Sequence, residues 1–269
     1  MLECVQVPAN LKEAIVSLEN SRAAAVLSGG TLLMPQINTK PSGLQVLVST
    51  RHLGLSNISV EGTRATVGAT ATLDAFGRDS RLRILRPVIE SIASPPIRNM
   101  ATVGGNLFAP QPHGDLAVAL LALDAVVEIA GTAGRRQASV AEMLKKGISA
   151  AEIVTSVSFD IPAGGDWFYV KAMRRKFNSA AIVTVAAHIT FASGVVRTAQ
   201  IALGGAGPRP VRAPSAEAAL LGHKLDLQTV QTAALAAAQD VEPFTDAYAS
   251  AWYRARVLPI HIRRAFLGA

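Results

Sequence analysis

Cysteine is almost absent from this sequence of 269 residues, in which Cys4 stands alone. A lone cysteine excludes a disulfide within the chain and any iron–sulfur cluster held by four thiolates of this chain. The five histidines show no spacing typical of metal ligands, and aromatic residues make up only 5% of the chain. We therefore expect no metal site, and no nucleic-acid surface of interleaved basic and aromatic side chains.

Long hydrophobic runs are also missing. The apolar stretch at residues 116–123 is far shorter than the roughly 20 residues that a membrane-spanning helix needs. Glu3 and Pro8 interrupt the start of the chain, where no basic segment precedes an apolar block, so the pattern of a secretory signal is lacking. These absences predict a soluble protein of the cytoplasm without membrane insertion.

The composition that remains is that of a folded globular protein. Half of the residues are apolar and 17% are charged, with a formal net charge of +7. The basic residues are scattered, apart from short clusters at 174–176 and 263–264. We interpret the cluster at 174–176 as a solvated surface or one that faces an acidic partner.

Helical and strand patterns are mixed along the chain. Apolar spacing predicts helices at residues 10–20, 32–37, 73–77, 87–93, 115–123, 215–221, 226–238 and 248–266. Short apolar runs predict strands at residues 23–27, 45–48, 57–61, 64–69, 125–130, 180–191 and 198–203. Residues 94–106 are rich in turn formers, and residues 162–166 are the best linker candidate. The order predicts an α+β protein with two domains, residues 1–165 and 166–269.

Two glycine pairs are candidates for phosphate binding. Gly29 and Gly30 lie between a predicted strand and a predicted helix, where backbone N–H groups are free to bind an anion. Gly104 and Gly105 follow Thr102 in the turn-rich segment. Either turn alone is compatible with an ordinary tight connection. Together they favour a ligand with two phosphates, and the lack of a G-x-G-x-x-G pattern indicates a site unlike the Rossmann type.

The residues around both turns resemble a known family. Residues 25–35 (AVLSGGTLLMP) resemble the first FAD-binding loop of the flavoprotein subunits in the xanthine dehydrogenase and carbon monoxide dehydrogenase family. Residues 97–107 (IRNMATVGGNL), followed by Asp115, resemble the second loop. Residues 152–154, 169–171, 202–213 and 253–265 resemble that family's C-terminal portion. The resemblance therefore covers nearly the whole chain in order.

This resemblance implies a bilobed FAD-binding domain of the vanillyl-alcohol-oxidase type, followed by a small C-terminal sheet-and-helix domain. It implies FAD bound without a covalent link, with the pyrophosphate held by N–H groups of residues 27–31 and 102–105 and with Asp115 near the ribityl chain and the flavin ring. The family's cofactor-binding positions fall here on Leu27, Ser28, Gly29, Gly30, Thr31, Leu32, Leu33, Ala101, Thr102, Val103, Gly104, Gly105, Asp115, Val154 and Lys171.

The family resemblance also implies a function within a complex. A large partner subunit is expected to carry molybdopterin and a small one two [2Fe–2S] clusters, in a dimer of heterotrimers. This chain is then an electron-transfer subunit that passes electrons to NAD⁺, a quinone or oxygen, with no catalytic residue or metal ligand of its own.

The chain departs from the family pattern in two places. Residues 110–114 lack two hydroxyl side chains that the family usually has, and Ser179 stands where the family often has aspartate. These changes bear on the hydrogen bonds and the potential of the flavin more than on FAD binding. Within the first segment, His113 is either a group that tunes the flavin or moves a proton, or a solvated loop histidine.

Several alternatives remain open. Asp115 is compatible with a simple helix N-cap, and Lys171 with a surface lysine on a strand. A free-standing flavin oxidase or reductase of the same superfamily would often tether FAD through histidine or cysteine and carry a substrate-capping domain, and neither feature is evident. A structural subunit that has lost its flavin is disfavoured by the intact glycine pairs.

Overall fold

Three β-sheets organise the chain in the computed structural model, which describes residues 2–21, 23–40, 42–175 and 179–268. The predicted α+β architecture is confirmed. Within those ranges, no helix combines the length and the apolar character that crossing a membrane requires.

The first sheet is parallel and forms a small lobe. Its elements are β1 (Cys4–Gln6), α1 (Leu11–Glu19), β2 (Ala24–Leu27), α2 (Leu33–Thr39) and β3 (Val46–Ser49), with strand order β1-β3-β2. Helix α1 begins after Asn10, whose side chain accepts a hydrogen bond from the N–H of Glu13. The helix buries Ala14, Ile15 and Leu18 in the core of this lobe.

The second sheet is antiparallel and belongs to a larger lobe. Its strands, in the order β4-β5-β8-β6-β7, are β4 (Ile58–Glu61), β5 (Arg64–Gly68), β6 (Val126–Gly131), β7 (Gly134–Ser139) and β8 (Ile153–Asp160). Its helices are α3 (Leu73–Arg78), α4 (Arg86–Glu90), α5 (Pro95–Arg98), α6 (Val103–Leu107), α7 (Asp115–Ala122) and α8 (Val140–Lys146), with a 3-10 turn at Ser80–Leu85. Every residue of α7 is buried, which makes this helix the centre of the core.

The third sheet is antiparallel and carries the C-terminal helices. It contains β9 (Trp167–Met173), β10 (Ala181–Ala192), β11 (Val195–Gly204) and β12 (Val211–Arg212), in the order β12-β11-β10-β9. The helices are α9 (Pro214–Leu220), α10 (Leu227–Ala236) and α11 (Ala251–Leu267), with a 3-10 turn at Ala237–Asp240. Alternate residues of β10 contribute to two different cores: Val185 packs among α9, α10 and α11, and Ala186 packs in the core that contains α7.

Helix α7 joins the second lobe to the third sheet. It contacts both β10 and β11. A side chain at Gly204 would place its Cβ 2.6 Å from Val118 Cγ2 and 3.2 Å from Thr184 Cβ. Glycine at this position therefore lets α7 lie directly on the sheet.

The structure corrects local predictions. Residues 94–106 contain the short helices α5 and α6 and are not turns throughout. The sequence patterns did not predict β1, β7, β8, β9, β12 or α8. The predicted linker at residues 162–166 connects β8 to β9 as a loop. Of the basic cluster at 174–176, Lys176 lies outside the described residues.

Candidate functional site

Two adjoining cavities lie between the three sheets. The first cavity, of about 590 Å³, is bordered by both glycine turns. The second cavity, of about 420 Å³, is bordered by the start of α7 and by the end of β9. Thr31, Leu32, Ala101 and Asn106 line both cavities. The two cavities therefore adjoin at the residues around the glycine turns.

The loop at residues 28–32 offers free hydrogen-bond donors to the first cavity. Among the described residues, none accepts a hydrogen bond from the N–H groups of this loop. Gly30 has a φ of +67°, a left-handed conformation that turns the chain from β2 into α2. Helix α2 also lacks a side-chain cap at its start. A row of free N–H groups beside two glycines is the arrangement that binds phosphate.

Gly29 brings the two glycine turns into direct contact. A Cβ atom at Gly29 would lie 2.0 Å from the carbonyl oxygen of Met100, which no real side chain tolerates. Beside this contact, the hydroxyl of Thr102 donates to Ser28 Oγ at 3.0 Å. The absence of a side chain at Gly29 is thus needed for loop packing, while Gly30 is needed for the turn.

The second glycine turn differs from its predicted role. The N–H groups of Val103, Gly104 and Gly105 donate to Ala71 O at 2.9 Å, Ala69 O at 2.8 Å and Thr102 Oγ1 at 3.1 Å, respectively. The hydroxyl of Thr102 thereby caps α6. The expectation that all the N–H groups of residues 102–105 hold a pyrophosphate is therefore wrong for these three, because each already has a protein acceptor.

Most of the predicted cofactor-binding residues meet in this site. Those that line the first cavity are Ser28, Gly29, Gly30, Thr31, Leu32, Leu33, Ala101, Thr102, Gly104, Gly105 and Val154. Asp115 and Lys171 line the second cavity. Leu27 and Val103 line neither: Leu27 ends β2, and Val103 is fully buried in the core around α7.

A buried polar cluster forms one wall of the second cavity. The ammonium of Lys171 donates to Asp115 Oδ2 at 2.8 Å and to the carbonyl oxygen of Ser91 at 2.8 Å. Thr184 donates from its hydroxyl to Asp115 Oδ1 at 2.7 Å. An ammonium has three donors, and among the described residues none accepts from the third donor of Lys171, which lines the second cavity. Burial, followed by the Asp115 charge, raises the pKa of neighbouring Tyr169 well above its ordinary value.

This geometry decides the alternatives for Asp115 and Lys171. The N-cap of α7 is Gly114, and no side chain caps it from that position. The side chain of Asn106, on α6, instead accepts from the N–H of Leu116 at 3.2 Å. Asp115 is therefore not a simple N-cap. The side chain of Lys171 is 3% exposed, so the surface-lysine interpretation is wrong.

The segment at residues 110–114 is tied to the third sheet. Gln111 Oε1 accepts from the N–H of Gly205 at 2.6 Å, and Pro112 O accepts from the N–H of Ala181 at 3.3 Å. Gly114 has a φ of +84°, which favours glycine over the hydroxyl residue that the family usually has there. At the positions of the two missing hydroxyl residues, Gln111 thus binds the third sheet and Gly114 forms a left-handed turn.

His113 lines the second cavity, with its ring edge-on to Tyr248 at a centroid distance of 6.0 Å. Burial lowers the pKa of His113, and the charge of Asp115 opposes this effect. His113 is half-buried, so the solvated-loop interpretation holds only in part. Arg174, Arg175 and Ser179 also line this cavity, which places part of the predicted basic cluster at the site.

Arg254 holds the loop that presents Tyr248. This arginine is fully buried on α11 and donates through Nη2 to both oxygens of Asp246 at 2.8 Å. It also donates through Nη1 to main-chain carbonyls, including that of Gly205 at 3.1 Å. Asp246 accepts in turn from the N–H of Tyr248 at 2.8 Å. Burial alone would raise the pKa of Asp246, but these hydrogen bonds outweigh it and hold the pKa below its ordinary value.

Sequence patterns missed several of these residues. Thr184 is the register partner of Lys171 on the adjacent strand, so both side chains reach Asp115 from the same face of the sheet. Ser91 and Tyr248 come from distant parts of the chain. By contrast, Asn106 lies within residues 97–107, which resemble the family's second FAD-binding loop. Local patterns carry no signal for contacts made through tertiary packing.

The site fits a dinucleotide such as FAD. Free N–H groups border one cavity, and a free ammonium donor borders the other. Across the described ranges, no group of three or more histidine, cysteine, aspartate or glutamate side chains is placed to hold a metal ion.

Comparison with known proteins also indicates an FAD-binding protein. Residues 2–163 match the family model described as the FAD binding domain in molybdopterin dehydrogenase, and residues 168–269 match the CO dehydrogenase flavoprotein C-terminal domain. The carbon monoxide dehydrogenase medium chain of Afipia carboxidovorans is 29% identical over 268 residues, which cover 96% of this chain and 93% of the relative. The xanthine dehydrogenase FAD-binding subunit of Escherichia coli O157:H7 is 29% identical, covering 94% of this chain and 89% of the relative.

A solved structure agrees in fold along the whole chain. The carbon monoxide dehydrogenase of Hydrogenophaga pseudoflava contains a chain that superposes with a TM-score of 0.93 at 26% identity, covering 100% of this chain and 97% of that one. The predicted combination of an FAD-binding domain and a C-terminal domain is confirmed. The chain belongs to the FAD-binding flavoprotein subunits of the molybdenum hydroxylases, the family of the carbon monoxide dehydrogenase medium chain and the xanthine dehydrogenase FAD-binding subunit.

Proposed function

We propose that this chain binds FAD without a covalent link across the two cavities, takes electrons from the iron–sulfur clusters of a partner subunit and passes them to an external acceptor. The observation that carries the proposal is that the two cavities adjoin beside the free N–H groups of residues 28–32. Such a site accommodates a ligand with a diphosphate at its middle and a ring at each end.

The two cavities bind different parts of FAD. The N–H groups of residues 28–32 bind the diphosphate, and Val154 lies beside it in the first cavity. Lys171 donates its free N–H to the ring system in the second cavity, and Asp115 holds that ammonium in position. Bound flavin supplies the carrier chemistry for electrons, and the protein supplies orientation and electrostatic tuning.

The remaining parts of the proposal concern the assembly. Relatives of this chain are named as medium chains or FAD-binding subunits, which supports partners that carry molybdopterin and [2Fe–2S] clusters. We extend this to a dimer of heterotrimers in the cytoplasm, with NAD⁺, a quinone or oxygen as the acceptor. Within the chain, we place the domain boundary near residue 165, in the loop between β8 and β9.

Optical spectroscopy of the flavin tests the proposal. The isolated chain should take up one equivalent of FAD, and this FAD should stay oxidised when purines, aldehydes or carbon monoxide are added. The complex purified with its partner subunits should show rapid bleaching of the same FAD with the substrate of the complex. Turnover by the isolated chain would refute the subunit function, and failure to take up FAD would leave a structural subunit as the alternative.

A further inference from the structure

His113 is a titratable group that the proposed function does not yet use. It stands on the segment at residues 110–114, two positions before Asp115, and lines the second cavity together with Asp115 and Lys171. Among the described residues, its ring nitrogens have no hydrogen-bond partner; the side chain of Gln111 bonds to the main-chain oxygen of His113 instead. An imidazole with both nitrogens unengaged can gain a proton without breaking a protein hydrogen bond.

The position of this imidazole is fixed by neighbouring elements. Its main-chain N–H donates to Pro110 O at 2.9 Å, and the adjoining residues are anchored to the third sheet through Gln111. Tyr248 covers one edge of the ring, and Asp246 fixes the loop that carries Tyr248. The ring therefore stays at the cavity wall and does not swing freely in solvent.

The charges that face His113 come from three elements and partly cancel. Asp115 begins α7, and Lys171 on β9 is paired with it. Asp246, on the loop before α11, is paired with Arg254. Arg174 and Arg175 line the same cavity after β9. Because both carboxylates already have cationic partners, no unpaired anion among the residues that the structure describes lies beside His113, which is therefore sensitive to a new negative charge in the cavity.

We propose that His113 takes up a proton from solvent when a flavin bound in the second cavity is reduced, an inference that rests on the proposed function. Two electrons and one proton added to the oxidised ring leave one net negative charge. The second proton, bound at the imidazole, balances that charge. Reduction thus takes up two electrons and two protons. On reoxidation, the two electrons pass to the external acceptor and both protons are released, one of them from His113.

The electrostatics of the ligand-free site agree with this assignment. In the ligand-free site, burial holds the pKa of His113 below its ordinary value of 6.5, and this favours the neutral imidazole. A nearby anion favours the charged form and raises that pKa again. Proton uptake is therefore expected in the pH window between the pKa of the oxidised state and that of the reduced state.

The pH dependence of the flavin midpoint potential tests the proposal. In the FAD-loaded complex, each additional proton taken up changes the two-electron reduction equilibrium tenfold per pH unit, which corresponds to about 30 mV. The wild-type slope should be steeper by this amount within the window. His113→Gln should remove the additional slope. His223→Gln should not, because His223 is exposed and lines neither cavity.

A second measurement covers the case in which His113→Gln alters the loop. The imidazole resonances of the wild-type chain loaded with FAD should titrate at higher pH when the flavin is reduced than when it is oxidised. An unchanged titration of His113, or an unchanged slope in a His113→Gln protein that still binds FAD, overturns the inference alone. Failure of the wild-type chain to bind FAD would instead overturn the proposed function.

Discussion

Asp115 and Lys171 form an ion pair of 2.8 Å with both side chains almost fully buried. The pair joins the two halves of the molecule, because Asp115 begins α7 and Lys171 lies on β9 of the third sheet. Thr184, the register partner of Lys171 on β10, completes the arrangement through the second oxygen of Asp115. The carboxylate therefore acts on the second cavity through Lys171.

Replacement of Asp115 by alanine is expected to move the flavin potential in the positive direction. The change removes a negative charge and leaves the Lys171 ammonium without its partner, so the anionic reduced flavin is favoured. Loss of one partner from a buried pair should also lower the free energy of unfolding by about 3–5 kcal/mol, and weaken FAD binding by about 1–3 kcal/mol. Redox titration, FAD dissociation and chemical denaturation measure the three effects.

Thr184→Val is the matched control for this change. Valine has the shape of threonine and removes one hydrogen bond to Asp115 while the ion pair with Lys171 remains. We expect a loss of stability of about 1–3 kcal/mol, with the potential nearly unchanged. Equal potentials in Asp115→Ala and wild type would remove Asp115 from the groups that tune the flavin.

Most strands and the long helices were predictable, including the edge strands β2 and β4. Of the five strands that sequence patterns missed, β1, β7, β9 and β12 lie at the edge of a sheet, and β8 lies inside the second sheet. An edge strand buries fewer side chains, as in β7, where most residues are exposed. Its apolar alternation is correspondingly weak.

Similar reasoning applies to the site. The glycine pairs were visible because a phosphate loop is local in sequence. The different use of the two pairs was not visible, because it depends on Ala69 and Ala71 as acceptors for the second turn. Thr184 and Ser91 could not be found from the sequence either, since they lie 69 and 80 residues from Asp115 and Lys171, their respective partners.

Gly30→Ala should weaken FAD binding more than its effect on stability explains. The left-handed φ of +67° strains any residue with a Cβ by about 1–2 kcal/mol. Relief of that strain would redirect the N–H groups of the loop away from the diphosphate. Gly62→Ala carries the same strain at a φ of +59° in the β4–β5 turn, where nothing lies within 4 Å of the added Cβ.

Thermal denaturation and FAD titration of the two glycine variants separate strain from binding. Gly30→Ala should lose more stability than Gly62→Ala, because its Cβ also lies 3.2 Å from Leu27 Cδ1 and from Met34 Cγ, and it alone should lose FAD affinity. Equal FAD affinities in the two variants would mean that the phosphates do not bind at residues 28–32.

Denaturation with acid should release all the flavin as free FAD. Cys4 is exposed on β1 and lines neither cavity. His113 does line the second cavity, and hydrogen bonds to its main-chain N–H and oxygen fix its backbone. No known motif for a covalent flavin link surrounds this histidine. Flavin fluorescence that stays on the denatured polypeptide of wild type and disappears in His113→Gln would contradict the prediction and identify a covalent link.

The loop beside Tyr248 should lose stability in a pH-dependent manner when Asp246 is replaced by asparagine. Arg254, which is fully buried, would lose its carboxylate partner, at a cost of about 3 kcal/mol near neutral pH. The pKa of Asp246 is below its ordinary value in the folded protein, so its contribution is fully present above the unfolded pKa of about 3.9. The contribution is lost as the pH falls through the lower pKa of the folded state.

Melting temperatures of wild type and Asp246→Asn should therefore differ at pH 7 and converge as the pH falls through the folded-state pKa of Asp246, which lies below the ordinary value. Asp226→Asn is the matched control, because Asp226 caps α10 at the surface and asparagine caps a helix equally well. The hydrogen bond from the N–H of Thr229 lowers the pKa of Asp226 as well, but this carboxylate is exposed, so Asp226→Asn should lose much less melting temperature near neutral pH than Asp246→Asn. If Asp246→Asn were as stable as wild type at pH 7, Arg254 would have to be held by its main-chain acceptors alone. The loop that positions Tyr248 against His113 would then not depend on the ion pair.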